Sequence, residues 1–198
     1  LLNGTKNWIT NGNTASVYLV IAQTDIEKGH KGINVFIIEK DMQGFVVGPK
    51  ENKLGIRGSD THSLMFTDVK VPKENRIGED GFGFTFAMKT LSGGRIGIAS
   101  QALGIASGAY ELALQYSKER KAFGKEISKH QAIAFKLADM ATEIDAARLL
   151  CLKAAWLKDN GKNYDQAASM AKVFVSETAM KTTVEAVQVH GGYGFVKE

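Results

Sequence analysis

The chain has 198 residues, 44% of them hydrophobic and 23% charged, with a net charge of +4. Such a chain forms one or two globular domains and buries roughly 70% of its unfolded surface. Scattered Lys and Arg argue against a nucleic-acid reader, the lone Cys151 excludes a disulfide framework or Cys-based zinc site within one chain, and no run is long enough for a membrane span.

To about residue 78 the pattern is that of a sheet protein. Val17–Gln23, Ile33–Glu39, Phe45–Val47 and Ser63–Val69 are rich in Val, Ile and Phe and are bounded by turn residues. Asn11-Gly12 reads as a hairpin turn between Trp8-Ile9-Thr10 and the strand from Val17. Lys28 to Gly32 reads as a loop tip. A polar, glycine-bearing stretch from Pro72 to Gly83 marks a boundary, giving domains over 1–75 and 76–198. Beyond it the period is helical, over Phe82–Arg120, Ser128–Asn160 and Asp165–His190. In the second segment Ile133, Leu137, Met140, Ile144 and Cys151 share one face, with a seven-residue gap. Ser128 with Gln131 fits a capping box, Asn160-Gly161 a helix stop and Asp165 an N-cap. Short connections between long helices imply antiparallel packing. The fold class is α+β: a β-sheet or barrel-like domain followed by an antiparallel α-helical bundle.

Several positions carry candidate chemistry. On a regular strand Trp8 and Thr10 share one face, which suits a flat heterocycle or, equally, a core tryptophan beside a turn. Ser92-Gly93-Gly94-Arg95 interrupts the first helix, where each glycine costs about 1 kcal/mol relative to alanine, so close approach by another group is expected there. Arg120 offers a planar fork for phosphate oxygens and Phe123 a stacking face, although exposed Arg-Lys pairs are commonly just solvated. Gln131 caps a helix or meets an anion at its N-terminus. Gln188 to Gly192 ends the third helix, and its glycines cap that helix or let a ligand approach the backbone. Gly81-Phe82-Gly83 lacks the third glycine of a dinucleotide fingerprint, and Gly124-Lys125-Glu126 is not a phosphate loop. Ser59, Asp60 and His62 are too local for a hydrolytic triad, and the four histidines lack metal-ligand spacing.

Four strings in order, WITNG at 8–12, LGIRGSDTHSLMFTDVKVP at 54–72, ERKAFGK at 119–125 followed by His130-Gln131, and QVHGGYGF at 188–195, resemble the acyl-CoA dehydrogenase family over essentially the whole chain. The resemblance implies FAD as cofactor, with Trp8, Ile9 and Thr10 beside the flavin ring. It places Arg120 at the pyrophosphate, with Phe123 and Gln131, in contact with FAD across a subunit interface. Gln188, Gly191 and Gly192 meet the FAD of a neighbouring subunit. Ser92, Gly93, Gly94, Arg95 and Ile98 line the acyl-CoA pocket, with Arg95 near the CoA moiety and Ser92 where many short-chain relatives carry Asp. His190 stands where relatives often carry an aliphatic residue and is not counted as catalytic.

The implied activity is oxidation of an acyl-CoA to the trans-2-enoyl-CoA, with electrons passed to electron-transfer flavoprotein. GRIGIASQALG and LGIRGSDT lean toward short-chain, butyryl-like substrates. A homotetramer in a bacterial cytoplasm or a mitochondrial matrix is expected. The rival readings are an acyl-CoA oxidase-like flavoenzyme and a non-catalytic oligomerisation or binding bundle. No catalytic residue is expected within the chain. The family's usual glutamate lies in a YEGT-like motif beyond Glu198, Glu198 itself stands too early in the pattern, and a minority position for the base is occupied by Gly94. The chain is therefore expected to cover part of the middle sheet domain and most of the C-terminal bundle, and alone to bind FAD weakly or not at all and not turn over.

Overall fold

The structure is a computed structural model that describes residues 1–197. The chain forms two compact units, Leu1–Lys89 and a second from Thr90 onward. The first contains β1 (Leu2–Thr10), β2 (Val17–Gln23), β3 (Ile33–Glu39), β4 (Phe45–Lys50), β5 (Thr61–Val69) and β6 (Arg76–Ile77). Helix α1 (Gly83–Glu119) runs through the division. It is followed by β7 (Lys121–Ala122), β8 (Lys125–Glu126), α2 (Gln131–Asp159), α3 (Asp165–His190) and the single turn α4 (Gly192–Phe195). The division at 89/90 falls later than the 75/76 read from sequence, because β6 pairs with β3 and Gly83 packs against the backbone of Ile33 and Asn34.

In the first unit two antiparallel three-stranded sheets, β1-β5-β4 and β2-β3-β6, share one core. β2 alternates as a half-buried strand must: Tyr18 and Val20 are buried, Val17 and Leu19 exposed. Tyr18 and Val20 meet Ile38 of β3 and Phe45, Leu64, Phe66 and Val69 of the other sheet. The Phe45 ring lies 4.8 Å from Tyr18 and 5.1 Å from Phe66, both tilted, so aromatic faces tie the sheets together.

Asn11-Gly12 does not close a hairpin. β1 pairs with β5 and β2 with β3, so the turn carries the chain from one sheet to the other. Tertiary pairing overrides the local signal because β5 offers β1 an alternating apolar face that β2 has already committed elsewhere. β1 also contains a bulge: Lys6 pairs with Leu64 and Ile9 with His62, leaving Asn7 and Trp8 opposite one residue. Trp8 takes φ +56, so the regular alternation that set Trp8 and Thr10 on one face is broken between them.

The second unit is a bundle built on small residues. Ala99, Ala106 and Ala113 recur every seven residues along α1 and are at most 1% exposed. They meet Leu137, Met140, Ile144, Cys151 and Ala154 of α2, and Ala171, Val175, Ala179, Ala186 and Val189 of α3. The seven-residue gap on the α2 face is filled by buried Ala147. Lys136 with Glu185 and Lys181 with Glu143 cross between α2 and α3, descending on one as they ascend on the other, which fixes the pair as antiparallel.

Two caps differ from the sequence reading. Ser128 lies in a 3-10 turn, Ile127–Lys129, and α2 begins at Gln131 after His130 with no side-chain cap, so the Ser128–Gln131 capping box does not form. The intervening turn follows from the β7–β8 hairpin, whose closing bond, Ile127 N–H to the Arg120 carbonyl, fixes the entry. Asp165 is the first helical residue of α3 rather than its cap, and Asn163 accepts its N–H at 3.1 Å.

Candidate cofactor site

In the second unit the end of α1 and the end of α3 enclose a cavity of about 500 Å³. Tyr116, Arg120, Ile127, Val189, His190, Gly191, Gly192, Tyr193 and Val196 line it. Tyr116 lies in the last turn of α1 and Arg120 directly follows that helix, its N–H donated to the Tyr116 carbonyl at 2.9 Å, which brings ring and guanidinium to the same mouth. The Arg120 guanidinium carbon lies 5.8 Å from the centre of the Tyr193 ring. Tyr116 stacks on His190 at 4.5 Å and 25°. The His190 Nδ1 lies 2.7 Å from the Ala186 carbonyl. An N–H at Nδ1 leaves Nε2 as the free ring nitrogen.

α3 stops at Gly191, which takes φ +59 and donates its N–H to the Gln188 carbonyl at 3.0 Å. Among the described residues, no atom beyond the adjoining backbone lies within 4 Å of where a Cβ would stand on Gly191 or Gly192. Bare backbone, an arginine and flat rings converge on one cavity. That donor set suits a phosphate joined to an aromatic ring system.

Arg120, Gly191 and Gly192 line the same cavity. Gln188 contributes a backbone contact without lining the cavity, and Gln131 is an exposed first residue of α2. Phe123 stands at the tip of the β7–β8 hairpin, 96% exposed, at φ +53, with Gly124 at φ +79. Positive φ at both central residues is the geometry of a type I′ turn. The His130 ring meets Phe123 edge-on at 6.0 Å. Sequence reading missed Tyr116 and Tyr193. Their signal was spacing: Tyr116 is four residues before Arg120, and Tyr193 directly follows the glycine pair.

In the first unit Ile9 and Thr10 line a separate cavity of about 490 Å³, together with Lys6, Tyr18 and Leu64. Trp8 does not line it and is 74% exposed. Among the described residues Tyr18 is pushed up in pKa, first by burial and then by the charge of Asp60. The Ser92–Ile98 segment is continuous helix, not a break. Ser92 is buried and its hydroxyl accepts from the Arg95 guanidinium at 3.3 Å, while Gly94 and Ile98 are exposed. Among the described residues beyond the helix's own backbone, none comes within 4 Å of where a Cβ on Gly94 would stand, and Lys158 Nζ alone comes within 4 Å of one on Gly93, at 3.6 Å. The glycines are therefore unexplained by internal packing. Cys151 is buried in the bundle core, where it packs, and burial raises its pKa. Glu198, set aside as a base, lies outside the described residues. No described helix is long and apolar enough to cross a membrane.

Residues 1–69 match the acyl-CoA dehydrogenase middle domain and residues 81–198 the C-terminal domain of the same family. The chain is 54% identical to the short-chain specific acyl-CoA dehydrogenase of Megasphaera elsdenii, over all of this chain and 51% of that protein. It is 50% identical to the caffeyl-CoA reductase-Etf complex subunit CarC of Acetobacterium woodii, over all of this chain and 52% of that one. The solved structure of butyryl-CoA dehydrogenase from Megasphaera elsdenii superposes with a TM-score of 0.96 at 54% identity, covering 98% of this chain and 51% of that one. The chain spans about half the length of the curated relatives it matches. With both domain models matching in order, the chain belongs to the acyl-CoA dehydrogenase family.

Proposed function

We propose that the full-length protein is an FAD-dependent acyl-CoA dehydrogenase acting on a short-chain acyl-CoA, with electrons leaving to an electron-transfer flavoprotein. The observation that carries this reading is the convergence of Arg120, Gly191-Gly192 and the Tyr116, His190 and Tyr193 rings on one cavity. The residues fit the phosphate-bearing part of such a cofactor. Arg120 supplies a bidentate cation, the open Gly191-Gly192 backbone admits close approach, and the stacked rings offer flat apolar faces. Trp8, Ile9 and Thr10 are assigned to the flavin ring, and Phe123, Gln131 and Gln188 to further cofactor contacts.

Bound there, FAD would supply a hydride acceptor for the substrate's β carbon, and a carboxylate base would be needed for the α proton. That base is not among the residues assigned here. The chain's own part is to bind and orient. Arg95, held to the buried Ser92, lies on the same turn of α1 as Gly93 and Gly94, which bare the backbone there. We assign these residues, with Ile98, to the acyl-CoA, whose thioester tail needs close backbone approach and whose phosphates need a cation. The names of the Megasphaera and Acetobacterium relatives support the short-chain substrate and the flavoprotein partner respectively.

A homotetramer in a bacterial cytoplasm or mitochondrial matrix completes the reading. The exposed apolar residues of the bundle support self-association: Leu149, Leu152 and Trp156 of α2 and Met180, Val184 and Val187 of α3 are each more than half exposed. The test is an anaerobic titration of the full-length protein with butyryl-CoA. Bleaching of a flavin band is expected in the wild type. Arg120→Ala should purify with little flavin. A band that persists through the titration overturns the short-chain assignment, and the absence of any flavin overturns the dehydrogenase reading.

A further inference from the structure

Asp60, too close to His62 in sequence for a hydrolytic triad, is instead the centre of a clamp. Its carboxylate accepts the N–H of Asn13 at 3.0 Å, the N–H of Thr14 at 3.3 Å and the Thr14 hydroxyl at 3.0 Å. Its carbonyl accepts the Asn11 N–H at 3.1 Å. One residue therefore takes up donors from three of the four residues that follow Thr10. The Tyr18 hydroxyl closes the turn from the other side, 2.8 Å from the Gly12 carbonyl and 2.9 Å from that of Ala15. The Lys40 ammonium donates to the Asn13 carbonyl. Beneath lies His62, with Nδ1 2.7 Å from the Gly48 carbonyl and Nε2 3.5 Å from the Asp60 carboxylate. Gly12 is buried so tightly on this histidine that a Cβ would stand 2.8 Å from the His62 Cβ.

The clamp sits where β1 is least constrained by its ladder. The bulge at Asn7 and Trp8 interrupts pairing with β5, and beyond it only Ile9 with His62 and Thr10 with Thr61 remain paired. Two residue pairs after a bulge leave the strand end free to twist. Both partners, Thr61 and His62, directly follow Asp60. Fixing the Asn11–Thr14 turn on Asp60 therefore fixes the orientation of Ile9 and Thr10 above the 490 Å³ cavity they line.

We propose that Asp60 is a positioning residue for the cofactor: its clamp on the Asn11–Thr14 turn holds Ile9 and Thr10 at the angle the flavin ring requires. This rests on the assignment of Trp8, Ile9 and Thr10 to that ring. A structural contact of similar kind provides the comparison. At the far end of the same strand pair, Asn3 donates to the Asp68 carboxylate at 3.0 Å and accepts the Asp68 N–H at 2.7 Å.

The test uses the full-length holoprotein and three readouts: flavin dissociation constant, position of the visible flavin band, and thermal midpoint. Asp60→Ala is expected to weaken flavin retention about tenfold and to shift the band, since a segment no longer held in place gives up part of the oriented contact it makes. Asp60→Asn keeps an oxygen acceptor and is expected to recover most of both. Asp68→Ala is expected to lower the midpoint while leaving band and affinity in place. If Asp60→Ala does not fold, Thr14→Val, which removes only the hydroxyl bond, is expected to give a smaller shift in the same direction. The proposal is overturned if Thr10→Ala moves the band and neither Asp60→Ala nor Thr14→Val does, or if Asp68→Ala moves it as far as Asp60→Ala. A band unmoved by both Trp8→Ala and Thr10→Ala overturns the flavin assignment itself, and the proposal with it.

Discussion

Phe123 sets a stability cost against a function, and the two can be separated by one substitution. It holds φ +53, a conformation that costs a side chain other than glycine, asparagine or aspartate about 1–2 kcal/mol. Its ring is 96% exposed, so almost no apolar burial repays that strain. The one ring contact, edge-on to His130 at 6.0 Å, is worth at most about 0.5 kcal/mol at so open a site. Asparagine tolerates this conformation without the extra unfolded-state entropy that glycine brings. Phe123→Asn should therefore stabilise the full-length apoprotein by about 0.5–1.5 kcal/mol, measured by urea unfolding followed by circular dichroism. The same variant should retain flavin less well, measured by equilibrium dialysis, because the stacking face is gone. A variant that is less stable than wild type, or one that keeps wild-type flavin affinity, would refute the argument that the strain is kept for a cofactor contact.

Three further outcomes follow from the first unit. Gly44→Ala combines φ +87 with a Cβ overlapping the Thr67 carbonyl oxygen, so a loss of about 2–4 kcal/mol is expected in chemical denaturation. Ile38 is fully buried between the two sheets, and Ile38→Ala should cost about 2–5 kcal/mol with a lowered thermal midpoint. The Asp60 carboxyl is held below its ordinary value, chiefly by the Asn13 N–H and then by Thr14 and the charge of His62. A depressed folded-state pKa means stability present above about pH 3.8, the unfolded value, and lost as pH falls through the folded value. Asp60→Asn should therefore lower stability at pH 7 and narrow the gap to wild type on the acid side, read from urea midpoints between pH 7 and 3.

Much of the fold is legible because its larger elements follow one period each. α3 spans the residues its pattern gave, Asp165–His190, and the four apolar runs of the first unit are strands. At the Asn11-Gly12 turn a local signal was outvoted by a partner distant in sequence. Asn11-Gly12 is a hairpin pair by propensity, yet β5 captures β1 and Asp60, 47 residues from Asn13, captures the turn. The real hairpin is closed by Phe123-Gly124, a pair propensity would not choose, because phenylalanine disfavours positive φ. The bundle core is hard to see by hydropathy because so much of it is alanine, as at 99, 106, 113, 147 and 171, where the information lies in small size rather than apolarity.

The same contrast separates the legible part of the site from the rest. Arg120 and Gly191-Gly192 are visible through the strings that hold them, ERKAFGK and QVHGGYGF, since a cation or a glycine alone at a helix C-terminus is ordinary. Tyr116 and His190 are not, since an aromatic one turn before a helix end is ordinary amphipathic packing until its partner is known. Their stacking at 4.5 Å appears only when α1 and α3 finish side by side. A tyrosine and a histidine that merely packed would tolerate exchange for aliphatic residues of similar volume. In a cavity that also holds Arg120 and bare glycine backbone, such an exchange removes the flat face and keeps the cation. Tyr116→Leu in the full-length protein should therefore leave folding intact and weaken binding of the ring-bearing cofactor more than binding of inorganic pyrophosphate, measured side by side by calorimetry. Equal losses for both ligands would mean that the ring at 116 supports Arg120 rather than the ligand.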